Sequence, residues 1–135
     1  MAGKIIADTL EHSTAGSIAT NYVVNGSAKA WVNFNGTGTI ATRDSLNVSG
    51  LTDNGTGDYS INFSNSMNSS DYAFQGASQL DVTGFANNSD WLNVSGSRSA
   101  SNPSTTSHRI VVGRVTTEAG FDSLYNYSTY HGDLA

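Results

Sequence analysis

The sequence predicts an all-β fold: an antiparallel β-sandwich, jelly-roll-like or meander in its path, preceded by an extended amino-terminal arm. Three observations lead there. Apolar and polar residues alternate, with Ala30, Val32 and Phe34 set against Trp31 and Asn33, and Tyr59, Ile61 and Phe63 set against Asp58, Ser60 and Asn62. A period of two sends successive side chains to opposite faces of a sheet. Glycine-containing turn signals recur at short intervals, led by two copies of one turn, Asn35-Gly36-Thr37-Gly38 and Asn54-Gly55-Thr56-Gly57. Asn-Gly pairs tolerate positive φ and so match the twist of the strands they join. Helical periodicity is found nowhere along the chain.

Taken in order, residues 1–28 read as the arm and residues 29–135 as the β domain. In the arm, Ile5, Ile6 and Leu10 form one small apolar cluster, followed by the polar run HSTAGSIATN. Tyr22-Val23-Val24 before Asn25-Gly26-Ser27 reads as a short strand and turn. Such a segment buries little against itself, and fully extended it reaches roughly 90 Å, far enough to cross to a neighbouring subunit or a docking surface. Lys29 to Phe34 and Thr39 to Thr42 make the first hairpin, Leu46 to Leu51 the next strand, and Asp58 to Phe63 the one after. Ala30 to Ser64 therefore reads as a meander with one apolar and one polar face.

A polar loop at Asn65–Asp71 follows, anchored by Met67. Tyr72 to Ala77 and Leu80 to Gly84 form a further pair, and Asn87-Asn88-Ser89-Asp90 turns the chain into Trp91 to Val94. Gly96 to Ser107 is the longest loop and holds the single proline, Pro103. Loops of that length in a compact domain are often binding loops or linkers. His108 to Val115 is the most hydrophobic strand, and apolar residues on both of its faces place it centrally. The tail carries Tyr125 and Tyr127, which alternation directs to one face, and then Tyr130.

Composition bounds the function. Charged residues make up 13% of the 135-residue chain, against roughly 25% in an average soluble domain. Asn, Ser, Thr and Gly take their place, giving a polar, nearly uncharged surface that responds little to ionic strength. The net charge of −5 and the scattered basic residues argue against nucleic acid and anionic membrane as partners. No apolar run is long enough to span a bilayer, and MAGKIIADTLEHS lacks the apolar core of a signal peptide. With no cysteine, disulfides and thiolate metal sites are excluded.

Reactive constellations are missing as well. His12, His108 and His131 are dispersed without the spacing of a metal pocket. Asp53-Asn54-Gly55-Thr56-Gly57-Asp58 superficially resembles a calcium loop but lacks the alternating acidic ligands and closing glutamate of an EF-hand. Its Asn and Asp already make sense as turn formers. No serine sits in a G-x-S-x-G elbow, and no carboxylate pair is set up for glycan hydrolysis. The expectation is a protein with no catalytic residues, no metal and no cofactor. Binding chemistry is better supplied: Trp91, Tyr125, Tyr127 and Tyr130, with Asn- and Ser-rich loops, suit stacking on sugar rings or on a protein partner. The same aromatics also suit a core or a subunit seam, the reading preferred for Trp31, Phe34, Tyr59, Phe63 and Trp91.

The stretch WVNFNGTGTIATRDSLNVSGLTDNGTGDYSINF, together with Asp71-Tyr72-Ala73, resembles the terminal domain of tail fibres and related virion appendages of tailed bacteriophages. The resemblance covers about residues 29–82. It implies a β-rich, non-enzymatic homotrimer on the outside of a virion, made in the bacterial host cytoplasm. The implied partners are further copies of the chain, other tail or capsid proteins, and a host surface glycan, with no nucleic acid and no membrane insertion. Ile5, Ile6 and Leu10 would then belong to a docking or subunit-exchange arm. Three roles stay open: a short tail-fibre or spike-type appendage, a capsid decoration (cement) protein, and a stand-alone carbohydrate-binding module. The absence of a stalk repeat keeps the second close to the first.

Overall fold

The computed structural model describes residue 3, residues 6–79, the backbone of residues 92–96, and residues 103–114 and 119–135. Those residues are mostly antiparallel β-sheet, as the alternation predicts. A small hairpin pairs β1 (Thr9–His12) with β2 (Gly16–Ala19) and leads into a short helix, α1 (Thr20–Gly26). The body comprises β3 (Ala28–Asn35), β4 (Ala41–Leu46), β5 (Val48–Gly55), β6 (Asp58–Phe63), β7 (Ala73–Gln79), β8 (Leu92–Gly96), β9 (Ser107–Arg114) and β10 (Tyr125–His131). They form two four-stranded sheets with strand orders β4-β3-β10-β7 and β5-β6-β9-β8.

One core is shared by both sheets. Strand alternation sends Ala30, Val32 and Phe34 of β3 and Tyr130 of β10 inward from the first sheet. Tyr59, Ile61 and Phe63 of β6 and Ile110 and Val112 of β9 come from the second. Ring contacts tie the sheets together: Phe34 meets Tyr59 edge-to-face at 5.1 Å, and Phe63 meets Tyr130 at 5.0 Å. Such geometry adds to simple area burial, because the positive edge of one ring faces the negative face of another. As expected, β9 is central in its sheet, but it alternates, with His108, Ile110 and Val112 buried.

The two NGTG turns have different shapes but are seated on the same piece of chain. At the second, β5 and β6 pair through to Gly55 opposite Asp58, and Gly57 has φ +67°. Gly57 N–H donates to Asp122 Oδ1 at 2.7 Å, and Gly57 O accepts from Val112 N–H at 2.7 Å. At the first, Gly36 N–H donates to Ser123 O at 2.9 Å, and Gly36 O lies 3.0 Å from the Tyr59 hydroxyl. That hydroxyl is also 2.6 Å from Asp122 Oδ1. Asp122 and Ser123 thus hold both corners, and a side chain fits at neither. A Cβ on Gly36 would meet the Tyr59 hydroxyl at 2.6 Å, and one on Gly57 would run into the Val112 carbonyl and the Phe121 amide.

Several expectations are corrected. Ala30 to Ser64 is not one meander, because β4 and β5 lie in different sheets. Leu46 to Leu51 is not a continuous strand: it breaks at Asn47, whose φ of 55° turns the chain from one sheet to the other. Asparagine tolerates that conformation better than most residues, and its side chain is fixed by accepting from Asn65 N–H at 2.7 Å. The arm is not extended over its described length, and a helix is present. Thr14 and Ala15 amides donate to His12 Nδ1, and Gly16 at φ +93° completes the turn that folds HSTAG into a hairpin. Tyr22-Val23-Val24 is helical despite its β-favouring residues. Its polar backbone groups find local partners, the Ser27 amide donating to Val23 O at 3.2 Å. The expected elements at Leu80–Gly84, Asn87–Asp90 and Trp91, and residues 97–102 of the long loop, lie outside the described residues.

Candidate functional site

Among the described residues, two surfaces carry chemistry that the fold does not consume. The first is the outer face of the sheet β4-β3-β10-β7. Because Val32 and Phe34 point inward, Trp31 and Asn33 point out, and because Asn126, Ser128 and Tyr130 point inward, Tyr125, Tyr127 and Thr129 point out. The register sets these side chains in rows. Leu46, Trp31, Thr129 and Gln75 form one row, and Asp44, Asn33, Tyr127 and Ala77 the next. A groove of about 380 Å³ lies along the face, lined by Trp31, Asn33, Gln75, Ala77, Tyr127 and Thr129 among others. Tyr127 is 39% exposed, and Asn33 Oδ1 is shielded from solvent with no hydrogen-bond partner.

The residues singled out from the sequence divide sharply. Tyr127 sits in the groove wall as a usable aromatic surface. Tyr125 shares its face, but the Arg43 guanidinium lies over its ring at 4.4 Å while donating to Leu124 O at 2.9 Å. Tyr130 is a core residue, not a binding residue: it is fully buried among Phe63, Tyr72, Phe74 and His108, and burial pushes its hydroxyl pKa far upward. The β-bulge between Tyr130 and His131 lies immediately after it. Trp91 lies outside the described residues. Trp31, expected in the core, instead lines the groove. Its place opposite Val32 and Phe34 in the alternation was the available signal, overridden by the general preference of tryptophan for burial.

The second surface is the amino-terminal unit of β1, β2 and α1. Ile6 is 82% exposed and Tyr22 68%, while Leu10, Ile18, Val23 and Val24 are also exposed. Ile5 lies outside the described residues. Leu10 and Ile18 face each other across the hairpin. None of the seven residues of α1 is buried, so the helix covers no core. Polar links reach it from the body side, with Lys29 Nζ donating to Val24 O and the His131 ring 3.2 Å from Gly26 O.

Titratable groups elsewhere serve the fold. Arg109 donates to both Asp58 oxygens at 2.7 and 2.6 Å, which holds the Asp58 carboxyl below the usual range. Asp53 accepts from Gly55 N–H, so this oxygen of the calcium-like loop is engaged by the turn itself. Burial pushes the Tyr59 hydroxyl pKa upward, reinforced by Asp122, and pushes Tyr72 up to about 12. His108, buried against the Tyr72, Phe74 and Tyr130 rings, is pushed down to about 4. Among the described residues no group of three or more His, Asp and Glu stands ready to hold a metal ion, and no helix is long and apolar enough to cross a membrane. No family model, curated protein or solved structure matches the chain.

Proposed function

We propose that this protein is a non-enzymatic structural component of the exterior of a tailed-bacteriophage virion, a short trimeric appendage of tail-fibre or spike type whose outer faces contact the host. In this reading the two sheets form a sandwich, and the amino-terminal unit docks it to a neighbouring subunit or to the particle. The observation that carries the reading is the exposed apolar surface of β1, β2 and α1. Six apolar side chains there, Ile6, Leu10, Ile18, Tyr22, Val23 and Val24, are left in solvent, against Leu46, Tyr127 and Leu134 in the described part of the body. Exposed apolar patches of that kind mark interaction sites. Their position beside a sheet body agrees with a docking element, and symmetric closure is the general habit of such assemblies. The resemblance of residues 29–82 to phage appendage domains supplies the virion and the three-fold symmetry.

The test is made on particles and on purified protein. Native mass spectrometry should give a species of three times 14.1 kDa. Virions carrying a chain lacking residues 1–20 should lose the protein, while the purified truncated chain keeps its β circular dichroism. A few trimers at the tail tip is the expected count. Hundreds of copies on the shell would instead make it a capsid decoration protein, and absence from particles together with sugar binding a stand-alone carbohydrate-binding module.

A further inference from the structure

We infer that the outer-face groove is a binding site for a neutral sugar, with one pyranose ring stacked on the Trp31 and Tyr127 side chains and hydroxyls held by Asn33 and Gln75. This deepens the host-contact reading above by naming the ligand class and the residues, and it rests on that reading only for its biological setting. Trp31 of β3 stands opposite Thr129 of β10, and Tyr127 stands opposite Asn33, so the two aromatic side chains are diagonal neighbours on adjacent strands. Diagonal positions on one sheet face are within reach of long and aromatic side chains. On the far side Ala77, opposite Tyr127, is small and leaves the tyrosine uncovered. The resulting volume of about 380 Å³ falls within the range of small-molecule sites.

The lining chemistry narrows the occupant. Among the described residues no charged side chain lines the groove, with Asp44 standing beyond Asn33 at the end of the row, so nothing described there rewards a phosphate or a carboxylate. An aliphatic chain would match the aromatic walls but would leave Asn33 Oδ1 unsatisfied. That atom is already shielded from solvent and accepts no hydrogen bond, a costly state for a strong acceptor. A pyranose answers both features, since its C–H face packs on an aromatic ring and its rim of hydroxyls reaches the exposed Gln75 amide and, once the side chains covering it part, donates to Asn33 Oδ1. Gln75 and Thr129 add a further amide and a hydroxyl across the groove.

The experiment uses the purified full chain and an immobilised panel of neutral oligosaccharides built from hexoses and N-acetylhexosamines, with calorimetry on the best binder. Wild type should bind at least one of them, with an affinity unchanged by added salt. Tyr127→Ala and Asn33→Ala should each weaken binding tenfold or more, Tyr127→Phe should retain it, and Tyr22→Ala on the amino-terminal unit should leave it unchanged. Tyr127 lies on the surface, so its variants should melt with the wild type; Asn33→Ala provides the second arm if one does not. No binding across the panel at roughly millimolar sugar, binding indifferent to Tyr127→Ala and Asn33→Ala, or binding that collapses with salt would overturn the inference. Particle location is read separately, so a shell protein that binds sugar, or a tail protein that does not, distinguishes failure of one reading from failure of the other.

Discussion

Acid should loosen this protein through one imidazole. His108 of β9 is 3% exposed, flanked by Tyr72, Phe74 and Tyr130 rings at centroid distances of 5.7, 4.6 and 5.5 Å. Its Nδ1 has no hydrogen-bond partner, so that nitrogen gains nothing on protonation to offset the burial of charge. Burial accordingly lowers the pKa from 6.5 to about 4. The titratable side chains facing it, Tyr72 and Tyr130, are themselves raised and stay neutral under acid. Above the unfolded value of 6.5 both states hold a neutral ring, and the full stability is present. Between 6.5 and 4 the unfolded chain binds one more proton than the folded one, so stability falls with pH by about 1.4 kcal/mol per unit. The total is about 3 kcal/mol, levelling off below pH 4, or roughly 10 °C in melting temperature for a chain of this size.

Urea unfolding followed by far-ultraviolet circular dichroism, at constant ionic strength and several pH values from 7.5 to 3.5, reads this directly. His108→Gln should be less stable than wild type at pH 7 but nearly flat across the 6.5 to 4 window. Asp58 acts lower: its carboxyl is held below 3.8 by Arg109, so its contribution is present above that value and is lost as pH falls beneath it. A wild-type curve that is flat from 6.5 to 4, or a glutamine variant that keeps the slope, would refute the account of a buried neutral ring.

Further outcomes follow from the corners and the amino-terminal unit. Gly57→Ala combines φ +67° with a collision against the Val112 carbonyl and the Phe121 amide, and should cost more than about 3 kcal/mol in urea unfolding. Gly38→Ala, at φ +63° but with open space around it, should cost only about 1 kcal/mol, which isolates the strain from the clash. Asp122→Asn replaces a carboxylate beside Gly57 N–H and the Tyr59 hydroxyl and should cost on the order of 2 kcal/mol. Removing residues 1–26 should leave the melting temperature of the β body within a few degrees while abolishing any species larger than a monomer in light scattering.

Local pattern and long-range pairing differed in how visible they were. The alternation in Ala30–Phe34 and Tyr59–Phe63 fixes which side chains enter the core, because inside and outside are decided by a local period of two. Trp31 followed that rule against its own composition-based expectation. Sheet membership is not local, and nothing in the sequence around Asn47 distinguishes a hairpin from a crossing until one φ angle is known. The duplicated NGTG reads as turn chemistry. Its second role depends on Asp122 and Ser123, dozens of residues away, which bear no mark of it. Tyr130 and Tyr127 cannot be equivalent, because an odd separation of three reverses the face, but a tyrosine alone does not say which face is oily. Asn33 gave no signal at all, since an unsatisfied acceptor exists only once its neighbours have closed around it.

The seating of both corners on Asp122 and Ser123, with β3 paired to β10, fixes the order in which this chain is completed. A nascent polypeptide emerging from the ribosome has Phe34, Tyr59 and Ile61 in place long before the strand and carbonyls that cover them have been translated. Closure is therefore a late, cooperative event of the slow kind that non-local β pairing imposes. Premature termination upstream of Gly120 would leave a sticky intermediate, not a smaller working domain, which makes the interval before Asp122 to His131 emerges the one in which holdase protection matters most.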